Sequence, residues 1–183
     1  FKSIVALDVS LSTLKPEYYG ATQRINLIKK EAQRYILGDK VTIMVVGSNP
    51  VIIRKDVSGY AARRIVHDLK PVDTMTNVER TLRKADQLMG NSPGRIVVIS
   101  DFIRTAGDDP YQVKKELEAQ GREIEFVNVD DLVEEFIAEE ELKTKPVFVV
   151  EPAEEQEIQE TVQETVEEQV QGTETPTPEE QSV

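Results

Sequence analysis

Ile4-Val5-Ala6-Leu7-Asp8-Val9-Ser10-Leu11-Ser12 is the stretch on which the reading of this chain turns. Four apolar residues lead into a carboxylate, and two hydroxyls follow at alternate positions. The apolar run is short and lacks a polar residue at every second position. It therefore reads as a strand buried on both faces, as in the middle of a parallel sheet. Asp8 falls where that strand ends. In open parallel sheets, ligands collect beyond the carboxyl ends of the strands, near the point where the strand order reverses.

Outward from this stretch, strands alternate with helices. Pro16 and Gly20 mark a loop, and Ile25, Ile28, Ala32, Tyr35 and Ile36 recur at helical spacing before a stop at Gly38. Val41 to Val46 is a second, β-branched strand. Gly47-Ser48-Asn49-Pro50 turns the chain into a short return strand over Val51 to Ile53, so one strand should run antiparallel. Ser58 to Leu69 fits a helix with Ile65 and Leu69 on one face. After a loop, Thr76 is expected to cap a helix running to Met89, with Glu79 completing a capping box. Ile96 to Ile99 is another buried strand ending in Ser100-Asp101. Asp108 or Asp109 caps a helix that Gly121 ends. Ile124 to Val129 and an acidic helix over Asp130 to Leu142 follow. The expected architecture is α/β: a mostly parallel central sheet with one antiparallel edge strand and helices on both faces. Met44, Met75 and Met89 read as core or near-core. Phe102 and Tyr111 are either partner contacts or loop packing.

Two carboxylates, Asp8 and Asp101, thus end two strands, and Thr76 opens a helix between them. With Ser10 and Ser12 they make an all-oxygen set. A hard divalent cation favours such donors, with water completing its shell. Thr74 and Asp73 stand near enough in sequence to join them, although a plain loop role suits Thr74 as well. His67 lies in a helix remote from the acidic loops and reads as a residue without function.

The segment Ile4 to Ser12 resembles the D-x-S-x-S strand-loop of von Willebrand factor A domains. Met75-Thr76-Asn77-Val78 resembles their threonine loop, and Val98-Ile99-Ser100-Asp101 their second acidic loop. The resemblance covers about residues 2–140 and implies a Rossmann-like fold with a metal-ion-dependent adhesion site. It implies Mg2+ (or Mn2+ or Ca2+) as the ion. Asp8 would bind it directly or through water, Ser10, Ser12 and Thr76 directly, and Asp101 through water. The implied function is protein binding without catalysis, in which a partner carboxylate completes the coordination. Prokaryotic stand-alone A domains and those of aerotolerance-type membrane proteins look most similar, and these imply a MoxR-type AAA ATPase system as a partner. Leu11, Thr13 and Phe102 stand where many relatives have Gly, Met and Gly.

Other readings compete with this one. Asp and Ser also stabilise loops as hydrogen-bonders, which would leave a scaffolding domain without an ion. A metal-dependent phosphoryl hydrolase would need a second Asp two residues after the first, where this chain has Ser10, and no Lys or His stands ready as acid or base. No phosphate-cradling glycine motif is present.

Composition divides the chain. The 183 residues carry a net charge of −12. Residues 1–129 hold 20 Lys/Arg against 16 Asp/Glu, whereas residues 130–183 hold 2 against 18. The domain is thus mildly basic and the end strongly acidic. The basic residues are scattered without an aromatic-rich motif, which argues against nucleic acid as a partner. No Cys is present, so disulfides and thiolate metal sites are excluded. No apolar run is long enough to span a bilayer. The first residue is Phe rather than Met, so the segment reads as part of a longer chain that is cytoplasmic or anchored from upstream. We expect the A-type domain over residues 1–143 and a linker or last strand over 144–150. Residues 151–183, with eleven Glu and no Lys, Arg or aromatic residue, are expected to form a disordered acidic tail. Ile158, Val162, Val166 and Val170 leave open a helix that docks on a partner, and a tail Glu competing for the metal face.

Overall fold

Apolar side chains on both sides of a strand need cover on both sides, and the first strand receives it. In a computed structural model that describes residues 1–10, 23–72, 75–103 and 106–144, β1 (Lys2–Leu7) is buried along its whole length. Helix α1 (Arg24–Tyr35), strands β2 (Lys40–Val45) and β3 (Val51–Val57), and helices α2 (Gly59–Asp68) and α3 (Val78–Met89) follow. Then come β4 (Gly94–Ser100), α4 (Pro110–Ala119), β5 (Glu123–Asn128) and α5 (Val129–Thr144). Of the expected linker over 144–150 only Thr144 is described, as the end of α5, and the rest of it and the acidic tail lie outside the described residues.

The five strands are ordered β3-β2-β1-β4-β5. β1 pairs in parallel with β2 and with β4, and β4 in parallel with β5. Among the described strands only β3 runs antiparallel, against β2, at one edge. The chain winds from β1 toward β2 first and later returns to β4, so the strand order reverses between β1 and β4. The strand period of two divides the core. Val5 and Leu7 join Ile28, Ala32, Val66 and Val133 under α1, α2 and α5. Ile4 and Ala6 join Leu82, Ala85, Val113 and Leu117 under α3 and α4. Burying such Leu, Ile or Val side chains contributes roughly 1.5–3 kcal/mol each, which fixes the register of the central strands.

The extent of β3, the cap of α3 and the place of Met75 differ from expectation. β3 extends to Val57 because Asp56, with φ of 50°, donates its N–H to Thr42 and carries the ladder past two register shifts. In α2, Ile65 and Leu69 pack partly buried against the same core cluster that fully buries Ala62 and Val66. Helix α3 is capped by Asn77, whose side chain accepts from the Arg80 N–H, so Thr76 and Glu79 do not form a capping box. Glu79 instead accepts from the Asp108 N–H and from Arg83. Met44 and Met89 are core residues as expected, but Met75 is exposed.

Candidate metal centre

The carboxyl ends of β1 and β4 adjoin, because Leu7 pairs with Ile99 and the Asp8 N–H still donates to the Ile99 carbonyl. One rung further, Asp8 and Ser100 face the same side, that of Ala6 and Val98. Helix α3 covers this side, and its entry loop lies over the strand ends. The Asn77 N–H donates to Gly47 O, and the Val72 N–H to Val9 O. Three loops therefore converge on Asp8: those after β1, after β4 and before α3.

Asp8 is only 5% exposed. Its Oδ2 accepts from Ser100 Oγ at 3.0 Å and from Thr76 Oγ1 at 3.4 Å, and its Oδ1 accepts from the Ser10 N–H at 3.4 Å. Ser100, fully buried, also accepts from the Phe102 N–H at 3.0 Å. Asp101 is half-buried, and its Oδ1 accepts from the Ile103 N–H at 2.9 Å, so it is oriented by its own loop. Burial pushes the Asp8 carboxyl above its usual range, and the nearby charge of Asp101 adds to this, while bonds from Ser100 and Ser10 oppose it. Among the described residues, no Lys, Arg or His forms an ion pair with Asp8 or Asp101.

The structure brings Asp8, Ser10 and Thr76 together and places Asp101 beside them. Ser12, Asp73 and Thr74 lie outside the described residues. His67 is exposed and bonds only its neighbour Asp68 at 3.0 Å. Ser100 is the residue that sequence reasoning missed. Its signal is register: the parallel pairing of Ile4 with Ile96 carries Asp8 opposite Ser100. Thr76 bonds Asp8, and the neighbouring Asn77 takes the helix cap. Gly107, with φ of 84°, lies so close to this cap that a Cβ would come within 2.5 Å of Asn77 Oδ1. Phe102 also has a positive φ, 57°. Its ring is buried in a stack on Phe126 at 4.4 Å, with Tyr111 at 5.8 Å, so it is loop packing.

The donor set suits a hard cation. Among the described residues no group of three or more His, Cys, Asp or Glu exists that would cage a metal through such side chains alone. Two carboxylates with hydroxyls in reach are instead oxygen donors of the type that a hard cation takes together with water. Two like charges near one another with little solvent raise the energy of the ionised pair, and a divalent ion lowers it.

No protein-family model matches the sequence, and neither does any curated protein. Solved structures do match. An aerotolerance-related membrane protein from Bacteroides fragilis is similar at a TM-score of 0.59 and 19% identity, over 69% of this chain and 66% of that one. The protein BatB from Bacteroides thetaiotaomicron is similar at 0.58 and 20% identity, over 69% and 65%. The chain thus spans just under two thirds of the length of each. Proximal thread matrix protein 1 of the mussel byssus, solved with a zinc-occupied MIDAS motif, is similar at 0.54 and 14% identity, over 69% and 37%. The fold is the von Willebrand factor A type: a mostly parallel five-stranded sheet with one antiparallel pair and helices around it. No described helix is long and apolar enough to cross a membrane.

Proposed function

We propose that this chain is a divalent-cation-dependent protein-binding module rather than an enzyme. The observation that carries the reading is Asp8: a buried carboxylate at the strand-order reversal, beside a second carboxylate, bonded to hydroxyls and unpaired with any cation among the described residues. Asp8, Ser10, Ser12 and Thr76 would hold the ion, and Asp101 would act on it through water. Mg2+ is the expected ion, and the mussel protein's zinc-occupied motif supports a site of this kind on this fold. A bound cation supplies an electropositive face that can accept a carboxylate from a partner. Ser100 holds Asp8 in place and shields one lone pair of Oδ2. The likeness to aerotolerance-type proteins makes a MoxR-type AAA ATPase system the first partner to test.

Thermal unfolding with and without Mg2+ or Mn2+ tests the reading. Millimolar metal should raise the melting temperature of the native chain and leave Asp8→Ala unchanged. A native chain that does not respond would sink the proposal. It would favour the scaffolding alternative, which has its own support: the bonds from Thr76, Ser100 and Ser10 tie three loops to Asp8 without any ion.

A further inference from the structure

Between Arg24 and Val72 the chain carries ten Lys or Arg against four Asp or Glu, whereas the rest of residues 1–129 carries ten against twelve. The positive excess of the domain therefore lies in one segment, and the fold narrows it further. Helix α1 packs on α5 and on α2. Toward α5 its cations are answered: Arg24 pairs with Asp130, Arg34 with Glu31, and Lys30 lines a groove that also holds Glu135 and Glu139. On α2 they are not. Tyr60, Arg63, Arg64 and His67 have the i, i+3, i+4, i+7 spacing of a single helix face, turned away from buried Ala62 and Val66. All four are exposed, Tyr60 by 75%. The Arg63 guanidinium donates only to Ile36 O, and Arg64 forms no hydrogen bond or ion pair among the described residues. Lys40, Arg54, Lys55 and Lys70 are likewise exposed without an ion pair among the described residues. Of the four acidic groups in the segment, Glu31, Asp56 and Asp68 are engaged by Arg34, Lys2 and His67, which leaves Asp39, in the turn before β2. The stripe is also held in place. Gln33 and Lys29 of α1 donate to the carbonyls of Arg63 and His67 at 3.3 and 2.7 Å, and Ser58 caps the helix.

We infer that this face of α2 binds an acidic peptide segment of a partner protein, with carboxylates on Arg63 and Arg64 and an apolar side chain on Tyr60. The face shares no residue with the metal centre. Gln33, Tyr60, Arg63, Arg64, His67 and Asp68 line an open depression of about 650 Å³, a size usual for ligand sites. A guanidinium takes a carboxylate through two parallel N–H donors, and Tyr and Arg are the residues that carry binding energy at protein interfaces. Because α1 already fixes α2, little ordering is left to oppose binding. A polynucleotide suits the face less well. The stripe from Tyr60 to His67 is only about 10 Å long, at roughly 1.5 Å per residue, and offers one ring for stacking. Acidic α5, on the other side of α1, repels a longer polyanion.

Fluorescence anisotropy of the full chain in EDTA, which keeps the metal centre out of the measurement, tests the inference. The probes are labelled Gly-Glu-Glu-Phe-Glu-Glu-Gly-amide, the same peptide with Gln for Glu, and a thymidine oligonucleotide of equal charge. The Glu peptide should bind at least about tenfold more tightly than the Gln peptide, and salt at roughly 0.3 M should weaken it. Arg64→Glu should weaken it by about tenfold and Tyr60→Ser by about threefold. Both positions are exposed, so neither substitution removes a core contact, and circular dichroism reports whether the variants fold. Lys115→Glu makes the same charge change on exposed α4 surface and should alter the affinity by less than about twofold. No binding of the Glu peptide, equal binding of the two peptides, equal losses in Arg64→Glu and Lys115→Glu, or tighter binding of the oligonucleotide would overturn the inference.

Discussion

The two ends of the same sheet handle charge in opposite ways. At the amino end, Lys2 is buried on β1, yet its Nζ pairs with Asp56 at 3.0 Å and donates to Leu88 O at 2.9 Å. Arg95, at the start of β4, lies over the Tyr35 ring at 5.3 Å, and Tyr35 donates to Glu125 at 2.7 Å. Lys2 there meets a carboxylate of the chain, and Arg95 meets the Tyr35 ring and donates to Tyr35 O at 3.4 Å, although its Nε is buried without a partner among the described residues. At the carboxyl end of the same two strands, Asp8 and Asp101 gather without a cation from any described residue. A buried charge that is paired holds a fold together, whereas a buried charge left unpaired is retained at some loss of stability and points to a ligand.

Removing Asp8 should break this contrast most completely. At a metal concentration one hundred times the Kd, binding stabilises by about 2.7 kcal/mol, and Asp8→Ala should lose all of it. Asp101→Ala should weaken metal affinity by only about 10–100-fold, as expected for a residue acting through another ligand. Equal losses in calorimetric titrations of the two variants would contradict their assigned roles. The opposite end gives the control. Lys2→Met should lower stability in urea by about 1–3 kcal/mol, because Asp56 and Leu88 O lose their shared donor. It should leave Mn2+ affinity unchanged. A change in that affinity would mean that the two ends are not independent.

How legible each end is in the sequence follows from the same physics. β1 and β4 declare themselves because four apolar residues in a row must be covered on both faces. Their acidic ends are then placed by topology, which is why Asp8, Thr76 and Asp101 could be grouped before any coordinates. β3 hides most of its length, since an edge strand carrying Arg54, Lys55 and Asp56 in water shows no apolar pattern. Neighbouring capping residues, Thr76 and Asn77, cannot be told apart locally; the bond from Thr76 to Asp8, 68 residues away, decides between them. Ser100 needs the β1–β4 register, which no local rule supplies. At Phe102 the sequence displays bulk where relatives have glycine, but not that the backbone keeps a glycine-like φ of 57°. The buried ring compensates for that conformation. Phe102→Ala should therefore be less stable than Phe102→Gly by about 1 kcal/mol, the cost of a Cβ in the left-handed region. Urea unfolding of the two variants that gave the ordinary helix-type order, Ala above Gly, would show that the loop relaxes once the ring is gone.

The smallest expected effect belongs to the closed end and sharpens what closure means. Burial pushes the Tyr35 phenol up to about 12, with help from its bond to Glu125. In the unfolded chain the phenol ionises near its ordinary value of about 10. Below that value Tyr35 is neutral in both states, and its contribution to stability is complete. Between about 10 and 12, unfolding releases a proton, so stability falls as pH rises, and the contribution is lost once the folded phenol itself ionises. Tyr35→Phe removes this group and should flatten the alkaline limb of stability against pH while leaving the metal response at neutral pH intact. Glu125 then keeps solvent on one side and loses one donor, a modest penalty set by its exposure. If the alkaline slopes of native chain and variant coincide in denaturation series from pH 9 to 12, Tyr35 is not held neutral by its burial and its bond to Glu125, and the amino end is less closed than its packing implies.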